Sequence, residues 1–520
     1  MNLNNYSFEQ LSQLGRTAWK YGDWKALELI AKKMQQKSSD HAETEFLLGI
    51  AAKNLEGSTA AVQYFRRGLS LDESRYDCAI ELASACSAIF DRNQAFTLLQ
   101  DYQQFLNNSP IYLNMAGTTY VELGLPREAF ALYQRASELQ PQVQLFKENL
   151  ASCAVFLGNL SLATKLYGEL SDLHPKHQRI LYQLSRLVKA RDKTLITKIE
   201  KAIADRPTLP THNIFGYYAM AKQFEDLGDF ESAFKQMELG SNAVIAAMDY
   251  DLSTDTDILR AVKTSALPSD GLAKIGASNV AETPIFIIGL PRTGTTLLEQ
   301  MLALHPEIES MGETNTIETG ILQLSGHPGE PMSASILEQA SNISPRLLKR
   351  YYLDSTAYRR KGLPYFVEKM PTNYQYLHLI VNAFPEAKIL LVNRHPIDAC
   401  FAMFKQLFTY AFRFSYSLEH LTTYYTEYAS TRELWRRMYG DRLIELSYES
   451  LVTETETCLQ EIFTALNLDF DPQLLSTQPD DFQSMTASSI QVKQKVSTDS
   501  VGKWKDYREY LTPLLGLSDH

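Results

Sequence analysis

The sequence predicts an all-α solenoid of helical repeats over residues 1–245, then an α/β domain with a parallel sheet over 284–520, with 246–283 connecting them. Three observations predict this. Small side chains recur every 34 residues through the first half. In the second half, short apolar runs each lead into a helix-like stretch, the habit of buried parallel strands. A chain of 520 residues with 45% hydrophobic side chains can fill at least two cores.

The repeats come first. Ala61, Ala95, Ala129 and Ala163 stand 34 residues apart, each followed four positions on by a large apolar side chain: Phe65, Leu99, Tyr133, Tyr167. Twelve positions before each lies a small residue: Gly49, Ala83, Gly117, Ala151. Pro141 and Pro175 follow two of the units, and the clearest unit runs from Leu113 to Pro141. The small residues let the two helices of a unit approach closely, and the bulky one is expected to fill the gap against the next unit. This period and pattern resemble the tetratricopeptide repeat. Lys20–Lys33 reads as a slightly out-of-phase first repeat and Ala221–Gly240 as a last one, with an irregular helical pair between Pro175 and Pro210. Asp249–Thr283, rich in Ser, Asp, Ala and Gly, reads as a connection.

The formal charge of −11 argues against a general binder of nucleic acid or anionic membrane, while leaving room for a local cationic pocket. Five cysteines, odd in number and without C-x-x-C spacing, predict small buried thiols in a reducing compartment and no metal site. The opening residues show no basic region followed by an apolar run. No apolar stretch approaches the roughly 18–20 residues of a membrane span. The expectation is a soluble cytoplasmic protein, of unknown oligomeric state.

In the second half, Pro284–Leu290, Tyr365–Lys369, Ala387–Asn393 and Arg442–Leu451 read as four strands of one three-layer domain. The first enters a loop in which Gly289, Gly294, Thr295 and Thr296 nearly satisfy G-x-x-x-x-G-K-[ST]. Thr295 stands where the lysine belongs, and Arg292 sits inside the loop. Such a loop aims backbone N–H groups and a helix N-terminus at an anion. In a triphosphatase, the lysine and a Mg²⁺ held by a strand-end Asp counter the phosphate charge. Here the next strong strand ends in Asn393–Arg394 instead. Cations must then do the neutralising, and Arg292 and Arg394 suit that work because guanidinium groups grip oxyanions bidentately.

The stretch "PRTGTTLLEQMLALHPEI…GET", with "VNRHPIDA" and "SVGKWKDY" further on, resembles the sulfotransferases, most closely the tyrosylprotein sulfotransferases, from Pro284 to about Tyr507. The resemblance implies a P-loop-like α/β fold and 3′-phosphoadenosine 5′-phosphosulfate as donor, with no metal. It implies that Arg292, Thr293, Gly294, Thr295 and Thr296 form the 5′-phosphosulfate loop and that Arg394 holds the 3′-phosphate. Tyr448 matches a donor-contacting tyrosine and Lys503 a cofactor lysine. Two departures stand out. Thr293 replaces a common serine, and Ala402 lacks the hydroxyl that usually completes the 3′-phosphate clamp.

For the chemistry, the resemblance implies Glu313 of "MGET" as general base, Lys369 of "VEKMP" beside the leaving group, and Ser489 as the counterpart of a family serine, with Ser488 nearly as suitable. "GETNTIE" also reads as a helix N-terminus with an acidic first turn, and the two readings are compatible. Asn315 replaces an arginine on the acceptor side of the family pattern. His305 and His395, each followed by proline, read as structural. The basic stretch Arg346–Gly362 carries six cations, a solvated face or an attractor of acidic acceptors. The implied activity is sulfuryl transfer to a hydroxyl, first of all tyrosine in a peptide or protein bound with help from the repeats. A carbohydrate or small-molecule acceptor is the alternative. A repeat scaffold whose second domain binds the nucleotide without turnover is the reading from another class. No nucleic acid or membrane partner is expected.

Overall fold

The computed structural model describes residues 3–106, 108–205, 210–265, 282–409, 411–476, 483–486, 488–493 and 496–519. By packing the chain divides into two compact units: residues 1–153 with 354–358, and residues 154–353 with 359–520.

The first unit is a run of helical pairs, including Ala42–Leu55 with Ser58–Leu71 and Pro110–Glu122 with Pro126–Leu139. The 34-residue pattern is explained by contacts inside each pair. A Cβ added to Gly49 would stand 2.5 Å from the Phe65 ring, and one added to Gly117 would stand 2.8 Å from the Tyr133 ring. The bulky residue therefore lies over the small residue of its own unit, rather than serving only the gap to the next one. Glycine is required there because the aromatic ring occupies the volume of a side chain.

The second unit begins with more helices of the same kind. The pair between Pro175 and Pro210 is present as Gln178–Leu187 and Thr194–Ala204, followed by Ile214–Asp226 and Phe230–Ala246. Within the segment read as a connection, Ser253–Ser265 is a helix that buries Ile258, Leu259 and Val262; residues 266–281 lie outside the described residues. An amphipathic stripe of five buried residues outweighs the Ser- and Asp-rich composition that suggested a linker.

The sheet has five strands, β1 (Thr283–Gly289), β2 (Ile308–Gly312), β3 (Tyr365–Lys369), β4 (Lys388–Asn393) and β5 (Leu443–Ser447), in the order β2-β3-β1-β4-β5. Every pairing is parallel. Four of these strands are the four apolar runs; β2, "IESMG", is additional. Both faces are covered. Phe286 and Ile288 of β1 join a core with Tyr218, Phe234, Tyr374 and Trp435. Ile285 and Ile287 join a second core with Leu298, Val367, Leu390 and Phe463. A strand buried on both sides needs an unbroken apolar run, as "PIFIIG" supplies. The first of these cores includes the helices of 178–262, so those repeat-like helices and the sheet fold as one body. The pattern boundary at 245 thus differs from the packing boundary at 153/154, because periodicity reports that a helix buries one face but not what covers it.

Among the described residues no helix is long and apolar enough to cross a membrane. All five cysteines are buried and free.

Candidate functional site

Each of the five parallel strands ends at or just before a residue singled out from the sequence. β1 leads into the loop carrying Arg292, β2 ends before Glu313, β3 ends at Lys369, β4 ends before Arg394, and β5 before Tyr448. In an open parallel sheet, ligands bind outside the carboxyl ends, where neighbouring strands send their connections to opposite sides. Here that point lies between β1, which continues toward β2, and β4, which continues toward β5.

A cavity of about 240 Å³ opens there, lined by Arg292, Gly294, Thr295, Thr296, Arg394 and Tyr448, with Ser488, Gln491, Asp499 and Ser500 on the far wall. Its floor is the turn from β1 into the helix Thr295–Leu302. Gly294 has φ +98° and lies under Tyr448, whose ring would be 2.4 Å from an added Cβ. Only glycine fits both the backbone and the ring. Arg292 also has positive φ, 68°, an uncommon conformation for a non-glycine residue.

The two arginines are held but not saturated. Arg292 donates to Ser488 Oγ through Nη1 and to Gln491 Oε1 through Nη2. Arg394 donates through Nη1 to the carbonyl oxygen of Arg292 at 3.0 Å and through Nη2 to that of Ser500. Its guanidinium lies over the Tyr448 ring, 4.8 Å from the centroid, and Tyr448 shares a hydroxyl contact with Ser500. The Nε atoms of both arginines are buried without a hydrogen-bond partner among the described residues. Burial, with the like charges of Arg394 and Arg186, pulls the Arg292 guanidinium down to about 10. Half-buried cations with unused donors beside a helix N-terminus form a site prepared for an anion.

On the other side of the loop, Lys369 is fully buried and ion-paired with Glu313, whose side chain is 37% exposed. A second carboxylate, Glu299 of the loop helix, lies 3.8 Å from the Lys369 ammonium. Neighbouring strands stand about 4.8 Å apart, so Lys369 is one strand and Glu313 two strands from the loop.

Other candidates lie less centrally. Thr293 is buried with its hydroxyl donating to Leu290 O at 2.8 Å, which shapes the loop, while Thr295 and Thr296 reach the cavity. Ser488 lines the cavity; Ser489 is buried and is not among the lining residues. Lys503 pairs with Asp506 at 2.8 Å and lies over the Phe230 ring, outside the cavity lining. On either side of Lys503, Gly502 N and Trp504 N donate to Asp398 at 2.6 and 3.1 Å, tying the C-terminal segment to the helix after β4. Asn315 caps the helix Thr316–Leu324 in the left-handed region, a position asparagine tolerates. Of the basic stretch, Lys349 pairs with Glu386 and Arg360 with Glu282. Gln491, Glu299 and Arg186 were not foreseen. Among the described residues, no group of three or more His, Cys, Asp or Glu side chains is arranged to hold a metal ion.

Comparisons with known proteins find two family matches along the chain. Residues 284–472 match a model described as the sulfotransferase family, and residues 110–143 match a tetratricopeptide-repeat model. An uncharacterised protein of Aquifex aeolicus is 25% identical over 422 residues, which is 78% of this chain and 54% of that protein. A protein-tyrosine sulfotransferase of Drosophila melanogaster is 25% identical over 232 residues, 42% of this chain and 46% of that one. The chain thus spans about half the length of each of these two relatives. Among solved structures, the sulfotransferase domain of the Synechococcus PCC 7002 olefin synthase aligns over 45% of this chain and 97% of its own, at 19% identity and a TM-score of 0.27. Residues 284–472 thus carry a sulfotransferase-family match, in a chain whose residues 110–143 carry a tetratricopeptide-repeat match.

Proposed function

We propose that the protein transfers a sulfuryl group from 3′-phosphoadenosine 5′-phosphosulfate to an acceptor hydroxyl, with tyrosine in a peptide or protein as the acceptor. The observation that carries the donor assignment is the pair of half-buried arginines, Arg292 and Arg394, with buried, unused Nε donors beside a loop whose Gly294 leaves no room for a Cβ. The donor is a polyanionic nucleotide with charge at two ends, and two cations about a helix N-terminus suit it. Arg292 with the N–H groups of Gly294, Thr295 and Thr296 would hold the 5′-phosphosulfate. Arg394, braced by Tyr448, would hold the 3′-phosphate.

The chemistry then falls on the β2–β3 side. The acceptor oxygen attacks sulfur as its proton passes to Glu313. The bridging S–O bond breaks, and its electron pair goes to the 5′-phosphate of the leaving nucleotide. Lys369 stabilises that charge together with the loop N–H groups. Ser488 stands nearer this path than Ser489, through its contact with Arg292. Lys503 belongs to the site only if donor binding turns its side chain from Asp506.

Two observations favour a polypeptide acceptor: the Drosophila relative is named a protein-tyrosine sulfotransferase, and tetratricopeptide repeats present surfaces suited to peptide segments. Free, buried thiols suit action in a reducing compartment, the cytoplasm. The test is incubation of the full chain with radiolabelled donor and a panel of tyrosine peptides, carbohydrates and small phenols. Label on tyrosine peptides supports the reading. Label on sugars or small phenols alone overturns the acceptor assignment, and none on any acceptor despite nucleotide binding overturns the activity.

A further inference from the structure

The loop helix carries a carboxylate that the proposed chemistry does not use. Glu299 has a side chain only 3% exposed, and its Oε2 lies 3.8 Å from the ammonium of Lys369. Its other oxygen accepts a hydrogen bond from Ser310 Oγ at 2.6 Å. Lys369 is thus buried between two carboxylates of different character: Glu313, partly exposed and proposed to change charge, and Glu299, enclosed and fixed.

The remaining charges near this group are few. Arg359 flanks Gly312 opposite Glu299, the two standing 3.6 and 4.0 Å from the point where a Cβ would lie. Glu368, the residue before Lys369, points to the opposite face of β3, where Thr314 and Asn373 donate to it. Burial, with the like charge of Glu313, pushes the Glu299 carboxyl up, and Lys369, Ser310 and Arg359 oppose that rise without cancelling it.

If Glu313 takes the acceptor's proton, Lys369 loses its nearest anion in mid-reaction. Charge reaches the leaving phosphate only as the S–O bond breaks, so an anion that stays fixed beside the fully buried ammonium holds it in place throughout the step. We propose that Glu299 is a positioning residue that keeps Lys369 charged and oriented toward the leaving group while Glu313 changes charge. This rests on the assignment of Glu313 as base and Lys369 as leaving-group cation. It explains why a carboxylate sits on the face of the loop helix turned toward β3, where an apolar side chain would pack at lower cost.

The test compares wild type with Glu299→Gln, which keeps the shape and the Ser310 contact but removes the charge. Turnover should lose its activity at high pH earlier, the alkaline limb of kcat moving down by about one pH unit or more, because a lysine deprived of an anion loses its proton more readily. Affinity for 3′-phosphoadenosine 5′-phosphate at neutral pH should stay within about threefold. A second readout needs no activity. In protein labelled with ¹³C at lysine Cε, the Lys369 signal, identified by its loss in Lys369→Arg, should titrate at lower pH in Glu299→Gln. Glu299→Asp should restore part of the difference. Should Glu299→Gln fail to fold, Ser310→Ala, which removes a hydrogen bond that favours the ionised Glu299, should shift the same signal in the same direction by less. An unmoved Lys369 titration, or a lowered melting temperature with an unchanged pH profile, overturns the proposal. If no acceptor is sulfated at all, the function falls, yet the titration still decides the relation of Glu299 to Lys369.

Discussion

Arg394 donates a hydrogen bond from Nη1 to the carbonyl oxygen of Arg292, 3.0 Å away, so the cation that ends β4 also braces the loop that follows β1. The two cations of the cavity are therefore mechanically coupled. Arg292→Ala should weaken binding of 3′-phosphoadenosine 5′-phosphate about 10- to 100-fold, the size of one lost hydrogen bond to a charged group. Arg394→Ala should cost at least as much, since it removes a ligand contact and the brace together. Calorimetry on the double mutant should show less than the sum of the single losses, as coupled neighbours do. Wild-type affinity in both single mutants would remove the donor site from this loop.

The loop geometry makes a second prediction. Gly294→Ala adds a methyl into the Tyr448 ring and holds alanine at φ +98°. Backbone strain of this kind costs about 1–3 kcal/mol, with the clash in addition. Denaturant unfolding should show the loss, and nucleotide binding should weaken with it. Combining Gly294→Ala with Tyr448→Ala should recover the part due to the clash and leave the part due to φ. An unchanged midpoint in Gly294→Ala would mean that Tyr448 yields freely and does not cap the loop.

The third prediction concerns metal. Thr295 stands in place of the lysine of a triphosphate-binding loop, and Asn393–Arg394 ends the strand where a metal-binding Asp would serve. Turnover should survive EDTA undiminished, and ATP should not be hydrolysed at a useful rate. Inactivation by EDTA with recovery on adding Mg²⁺ would return the loop to triphosphate chemistry.

Much of this site could be read before any coordinates, because the chemistry lies at strand ends and the strands are marked by apolar runs. Arg292, Arg394 and Tyr448 line one cavity for that reason. What escaped reading did so for physical causes. β2 is an edge strand with Glu309 and Ser310 inside it; Glu309 is spent on the backbone N–H of Lys361, and nothing local distinguishes that from a loop. Glu299 looks like an ordinary helix glutamate until Lys369, far along the chain, is folded against it. The choice between Ser488 and Ser489 depends on the direction of a short turn, which adjacent serines cannot reveal. The motif that matches Lys503 to a cofactor lysine does not say that its ammonium meets Asp506 three residues on. The segment holding Ser488 and Gln491 adds a further case. It is anchored by Ser484 N donating to Phe156 O at 3.1 Å and by Lys493 lying against Gly158, contacts between parts of the sequence with no visible relation.

The last prediction concerns the base. Glu313 follows β2, reaches Lys369 and keeps 37% of its side chain exposed, so an acceptor hydroxyl has access to the carboxylate from solvent. Glu313→Gln keeps the size and a hydrogen-bonding oxygen for Lys369 but removes basicity. Nucleotide affinity should survive, since Glu313 is not among the residues lining the cavity between β1 and β4, while turnover falls by about 10²–10⁴. Glu313→Asp withdraws the carboxylate by one methylene and should give intermediate activity. The loss in Glu313→Gln should also shrink as the acceptor phenol becomes more acidic, because a phenol that ionises readily needs less help from a base. Steady-state rates across a series of substituted phenols or fluorinated tyrosine peptides measure this directly. A constant loss across the series would assign Glu313 to holding Lys369 rather than to proton transfer, and near-normal turnover on every active acceptor would locate the base elsewhere.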